Sequence, residues 1–238
     1  MGEPSLILGL RDMGKAALRP DRVFPSLAAQ PQGPGFAGLW MLVWRVPVGI
    51  LSGMATLRGL ALALEQLKRL EGPWAQALLS ATPGVAPEDW KAALGDLPAM
   101  PGGSRALLGL LMLVPLGLVG VWLHHTVWDH GCLWLLKGLQ KEHPWRATLE
   151  AEASALQVGV VGVAFGLLTW VPGLGVYTWP LVLLVDLWFW GLRGVALAAF
   201  HGCPVWKGVT ATLLHGLLVI VLGCGLLGLS ALMAGMAA

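Results

Sequence analysis

Five long apolar stretches, at 38–64, 105–123, 153–171, 179–200 and 208–236, constrain this chain more than any other feature. A hydrocarbon layer about 30 Å thick takes roughly 20 helical residues to cross, and each stretch reaches or approaches that length. Inside lipid every backbone N–H and C=O must find its partner within the chain, which leaves helices as the expected spanning elements. The composition supports this. Hydrophobic residues make up 56% of the 238 and charged residues 12%, about half the charged share of a soluble domain. A soluble globule of this size could not hide that much apolar surface. The expectation is an all-α, polytopic transmembrane bundle of five spans.

The segments outside the spans divide the chain. Residues 1–37 read as an N-terminal cytoplasmic or interfacial segment, and 38–238 as the membrane domain, with an extramembrane loop at about 65–104. The apolar run 5–10 is too short for a secretory leader core. Leu6, Leu10, Met13 and Ala17 instead fall at helical spacing, with Arg11, Lys15 and Arg19 on other faces. That pattern predicts an amphipathic helix over 5–19, lying at the membrane surface. Pro20, Pro25, Pro31 and Pro34 predict an extended approach to the first span. In the 65–104 loop, Pro87 followed by Glu88 and Asp89 predicts a helix over 87–94. Trp74 and Trp90 suit the headgroup layer there.

Basic residues set the orientation. Arg11, Lys15, Arg19, Arg22, Lys137, Lys141, Arg146 and Lys207 fall on one side, whereas Lys68, Arg69, Lys91 and Arg105 fall on the other. Eight against four places the N-terminus in the cytoplasm and the C-terminus outside. Lys and Arg are scattered singly, so no nucleic-acid partner is expected. Cys132, Cys203 and Cys224 form neither an even set nor a C-x-x-C pair, so no disulfide framework is implied.

Ionisable groups within a membrane are costly and mark candidate sites. The spans carry Arg45, Arg58, Asp186, Arg193 and His215. Asp186 and Arg193 lie two turns apart, about 10 Å along a helix, too far to pair directly; Arg45 and Arg58 are candidate partners for Asp186. The densest polar cluster is His124-His-Thr-Val-Trp-Asp-His-Gly-Cys132, in which His125 and Asp129 share a helix face. Imidazoles and a carboxylate suit a first-row metal, with Zn²⁺ the default. The candidate ligands are His124, His125, Asp129, His130 and His201. Bundle pinning and interfacial hydrogen bonding compete with these functional readings. Gly162 and Gly166 form a G-x-x-x-G that suits helix packing within the chain first and an oligomer second. No phosphate loop, dinucleotide fingerprint or nucleophile elbow is present, so an enzyme is not expected.

Several short motifs resemble the Yip (Ypt-interacting protein) domain family, in its bacterial-type branch. They are the apolar run 110–122 followed by His130 and Leu133-Trp-Leu-Leu-Lys-Gly138; Trp145-Arg-Ala-Thr-Leu149; and Val171-Pro-Gly-Leu-Gly175. Trp190-Gly-Leu-Arg193, His201-Gly-Cys-Pro-Val-Trp-Lys207 and the early Arg19-Pro-Asp-Arg-Val-Phe24 complete the set. The resemblance implies five spans, a cytoplasmic N-terminus, a bacterial inner-membrane location and a non-catalytic role organising the membrane or binding a protein partner. The Asp-Leu-Tyr-Gly-Pro motif of eukaryotic members is absent, and the only tyrosine is Tyr177, so their recruitment of GTPases is not carried over. As hypothesis, Arg11, Lys15 and Arg19 with the 137–151 loop form a docking surface. Two alternatives stay open: a transporter or channel with a polar path at Asp186, Arg193 and His215, and a metal-binding membrane protein.

Overall fold

The computed structural model describes residues 10–167 and 175–237, and no strand occurs among them. In chain order the helices are α1 (Leu10–Leu18), α2 (Pro20–Ala28), α3 (Pro34–Lys68), α4 (Gly72–Ala81), α5 (Pro87–Gly95), α6 (Gly103–Leu135), α7 (Pro144–Val158), α8 (Val160–Leu167), α9 (Gly175–His201) and α10 (Val205–Ala237). Four are long and apolar enough to cross a membrane: α3, α6, the Pro180–His201 part of α9 and the Val205–Gly225 part of α10. These four helices are compatible with an integral membrane protein. The expected third stretch is divided instead between the end of α7 and α8 at Gly159, and 168–174 lie outside the described residues.

Proline placement explains several boundaries. α2, α3, α5 and α7 each begin on a proline. A first-turn proline lacks only an N–H that has no intrahelical acceptor, and its fixed φ suits the helix. The expected extended approach from Pro20 is therefore corrected: Pro20 starts α2 rather than breaking the chain, and Pro25 is carried within it. The expected helix over 87–94 is α5, and the same loop also contains α4. Trp90 donates its indole N–H to the Thr82 hydroxyl at 3.1 Å, and Lys68 donates to the Leu97 carbonyl at 2.8 Å, which ties the loop to α3.

Two helix ends set up the rest of the bundle. At the end of α6, Lys137 turns left-handed (φ 52°) and Gly138 N–H donates to the Leu133 carbonyl at 2.9 Å. At the end of α9, Gly202 (φ 69°) does the same while Cys203 N–H donates to the Ala198 carbonyl at 3.1 Å. The second turn sends the chain straight into α10, and Gly194 and Gly208 let the two backbones touch; a Cβ on Gly208 would meet the Gly194 carbonyl. α3 and α6 pack antiparallel, with Gly38, Gly49 and Gly53 against Trp122, Val114 and Leu110 respectively.

α7 is the enclosed element, packed by α3, α6 and α9. Its small face (Ala151, Ala155, Val158) joins Leu192, Ala196, Leu197 and Phe200 of α9 in the largest apolar cluster. Met13 and Ala16 of α1 and Phe24 of α2 are buried in that cluster, and the Trp188 indole donates to the Ala17 carbonyl at 3.2 Å. The apolar face of α1, expected at the membrane surface, is thus packed on protein over its described residues. Leu6 and the side chains of Leu10 and Arg11 lie outside the description.

α3 and α6 hold 35 and 33 residues, which at 1.5 Å per residue is about 50 Å, longer than a hydrocarbon layer of about 30 Å. On α6 the exposed leucines and methionine concentrate between Leu107 and Leu116. Its polar residues 124–130 lie beyond them, toward the end where α7 begins.

Candidate functional site

The polar residues of α6 and α7 come in pairs one turn apart. His125 and Asp129 share a face of α6; Thr148 and Glu152 share a face of α7. The two faces meet, and the Arg193 side chain enters between them from α9. Arg193 Nε donates to Glu152 Oε2 at 3.0 Å, and its Nη2 donates to Asp129 Oδ2. From α10, His215 Nδ1 donates to Asp129 Oδ1 at 2.7 Å. Four helices are thereby joined through one guanidinium and two carboxylates.

Burial here is complete. Arg193 and His215 are 1% exposed, and Asp129 and Glu152 0%. A charge taken from water is held only when it is paired and hydrogen-bonded, and ionised pairs of this kind make the stronger hydrogen bonds. Aromatic rings close the site: the Arg193 Cζ lies 5.3 Å from the Trp190 ring centroid and 6.0 Å from that of Phe189. Trp128 stacks on His215 at 6.1 Å.

The acceptors fix the tautomers. Since His215 gives its Nδ1 proton to Asp129, neutral His215 presents a bare Nε2, and His124 Nε2 lies 3.3 Å from it as donor. His124 is exposed, so the hydrogen-bond chain ends at the surface. On the other side His125 Nδ1 lies 3.7 Å from Glu152 Oε2 and makes no hydrogen bond; Glu152 Oε1 is likewise buried without a partner.

A second polar group lies one turn along α7. The Thr148 hydroxyl donates to the Pro144 carbonyl at 3.0 Å and accepts from His130 Nδ1 and His201 Nε2, both at 2.9 Å. One hydroxyl thus joins α6, α7 and the end of α9. Nearby, burial pushes the Cys203 thiol up from its ordinary pKa, which makes it a poor nucleophile.

The expected metal ligands divide between these groups, with His124, His125 and Asp129 in the first and His130 and His201 in the second. Among the described residues no group of three or more His, Cys, Asp or Glu side chains is arranged to hold a metal ion. The place between Asp129 and Glu152 that a cation would take is filled by the Arg193 guanidinium.

The expected polar path is joined only in part. Arg193 and His215 meet, whereas Asp186 lies in the largely exposed first part of α9 without a hydrogen-bond or ion-pair partner among the described residues. Neither Arg45 nor Arg58 pairs with it; Arg58 is exposed and Arg45 faces a cavity. Of the expected docking residues, Lys15 pairs with Asp12 at 3.1 Å and Arg19 is exposed. The end of α2 and the 137–151 segment meet around a cavity of about 310 Å³, lined by Ala28, Pro31, Lys141, His143, Arg146 and Phe200 among others.

Glu152 and Thr148 were not among the sequence candidates. Their signal was the one-turn spacing that repeats the His125/Asp129 spacing, in a segment just before an apolar stretch. Comparison of the chain with protein-family models, with curated proteins and with solved structures finds no match.

Proposed function

We propose that this chain is a non-catalytic membrane protein of Yip-domain type, which organises the membrane or holds a protein partner at the face formed by α1, α2 and the 137–151 segment. The observation that carries the reading is the burial of the charge cluster. Arg193, Asp129, Glu152 and His215 are buried and bonded to one another, with the His215–His124 contact leading outward, so the costliest groups in the bundle are spent on holding α6, α7, α9 and α10 together. A transport path needs polar groups in contact with a permeating species, and a catalytic site needs a reactive group open to substrate. The clamp offers neither at its centre. The shared cavity between α2 and the 137–151 segment supplies a place where a partner could rest.

Purified protein reconstituted in vesicles with an enclosed pH dye tests the reading. A clamp predicts proton flux equal to that of empty vesicles, with Asp129→Asn leaving the flux at that level. Flux above the empty vesicles that Asp129→Asn abolishes would replace the scaffold by a proton-conducting transporter.

A further inference from the structure

α3 carries a second feature that the clamp does not use. Arg45, Gly49, Ser52, Gly53, Thr56 and Leu57 follow one stripe of the helix and line a cavity of about 460 Å³. Leu110 and Leu118 of α6 and Val163 of α8 form its other walls. Among the described residues Arg45 is the only charged one lining it, and this arginine has no hydrogen-bond or ion-pair partner among them. The carboxylates Asp129 and Glu152 are already bonded to Arg193. An unpaired guanidinium beside an apolar cleft calls for an anion with an apolar tail.

Depth and direction narrow the choice. The α3–α6 seam pairs Gly38 with Trp122 and Gly49 with Val114, so Arg45 lies level with Leu118, near the end of α6's apolar stretch. Side chains on a helix lean toward its N-terminus, so the Arg45 guanidinium points out of the apolar layer toward the level of the polar residues 124–130. From Arg45 to Leu57 the stripe runs twelve residues, about 18 Å. Half of a hydrocarbon layer is about 15 Å. The cleft is therefore about as long as one leaflet is deep, and its cation stands at the end nearer the polar residues of α6.

We propose that this cleft binds one anionic phospholipid, its phosphate on Arg45 and one acyl chain lying along α3 between Leu110, Leu118 and Val163. The planar guanidinium suits a phosphate bidentately. The Thr56 hydroxyl is engaged with the Ser52 carbonyl at 2.9 Å, and apart from the Ser52 hydroxyl the lower lining is apolar.

The test is native mass spectrometry of the full chain after reconstitution in vesicles of equal parts phosphatidylglycerol and phosphatidylcholine. About one phosphatidylglycerol should stay on each chain, favoured roughly tenfold over phosphatidylcholine. Arg45→Gln should abolish that preference, Arg45→Lys should keep part of it, and Arg58→Gln should leave it intact. Excess inorganic phosphate should not release the lipid, because the acyl chain contributes to binding. Equal retention of the two lipids by the unaltered protein would overturn the proposal, and so would an undiminished preference in folded Arg45→Gln. Release by phosphate would also overturn it, by showing an anion site without a lipid. The preference of the unaltered protein is read without any variant, so a folding defect in Arg45→Gln does not remove the test.

Discussion

Arg193 on α9 donates its Nε–H to Glu152 on α7 at 3.0 Å while its Nη2 bonds Asp129 on α6, so one side chain holds two carboxylates from two helices. Its planar fork can do this because the donors are spread over a fixed plane; a lysine would offer a single point of charge. The arrangement fixes the rotation of α9 about its axis relative to α6 and α7. His215 adds α10 to the same set through Asp129. The polar chemistry of the chain is thus concentrated in its architecture, which is why we read the protein as a scaffold.

Thr148 offers a second, independent check on this architecture. Its hydroxyl accepts from His130 Nδ1 and His201 Nε2, and Thr148→Val would remove that acceptor while keeping the side-chain shape. Leaving buried polar groups unsatisfied costs about 1–3 kcal/mol each. Thermal unfolding in mild detergent should show a loss of that size for Thr148→Val and little change for Thr148→Ser. Equal stability of the Val variant would mean that the imidazoles find other partners.

The N-terminal face makes a prediction about partners. Leu18 is 84% exposed and lies between Lys15 and Arg19, also exposed. A photo-crosslinking residue at position 18 in growing cells should give one discrete protein adduct. The Lys15→Glu/Arg19→Glu variant should lose that adduct by roughly tenfold, as a docking contact steered by charge would. Adducts to lipid alone would instead place this face on the membrane.

Much of the helical framework was legible in the sequence, because apolar length and proline position act locally. The four long apolar helices coincide with four of the five stretches, and Pro87 with its two acids marked α5. α2 is not legible from Pro20 alone, because a proline that breaks a chain elsewhere starts a helix when it sits in the first turn. His125 and Asp129 were legible as a pair since their spacing is a property of one helix. Glu152 was not, because the third apolar stretch begins one residue after it and α7 is buried by packing, through alanines that carry little hydropathy. Which carboxylate Arg193 would meet depended on how α6, α7 and α9 pack, which no single segment encodes. Asp186 illustrates the reverse: two turns from Arg193 and on nearly the same helix face, it lies in the largely exposed first part of α9 (181–187), whereas Arg193 lies in the later part that packs inside the bundle.

The central claim is that the cluster is a clamp, and a stability comparison of three proteins tests it most directly. Arg193→Met strands two buried carboxylates and should destabilise the fold by about 3–5 kcal/mol. The quadruple variant Arg193→Met/Asp129→Leu/Glu152→Leu/His215→Leu replaces the whole set, including the imidazole that Asp129 holds, by apolar groups and should recover most of that loss, since such replacements are often near neutral. Unfolding midpoints of these two proteins and the unaltered chain, measured in the same detergent, give the answer. A large loss in the single variant that the quadruple variant restores is the predicted result. A single variant as stable as the unaltered protein would contradict the clamp.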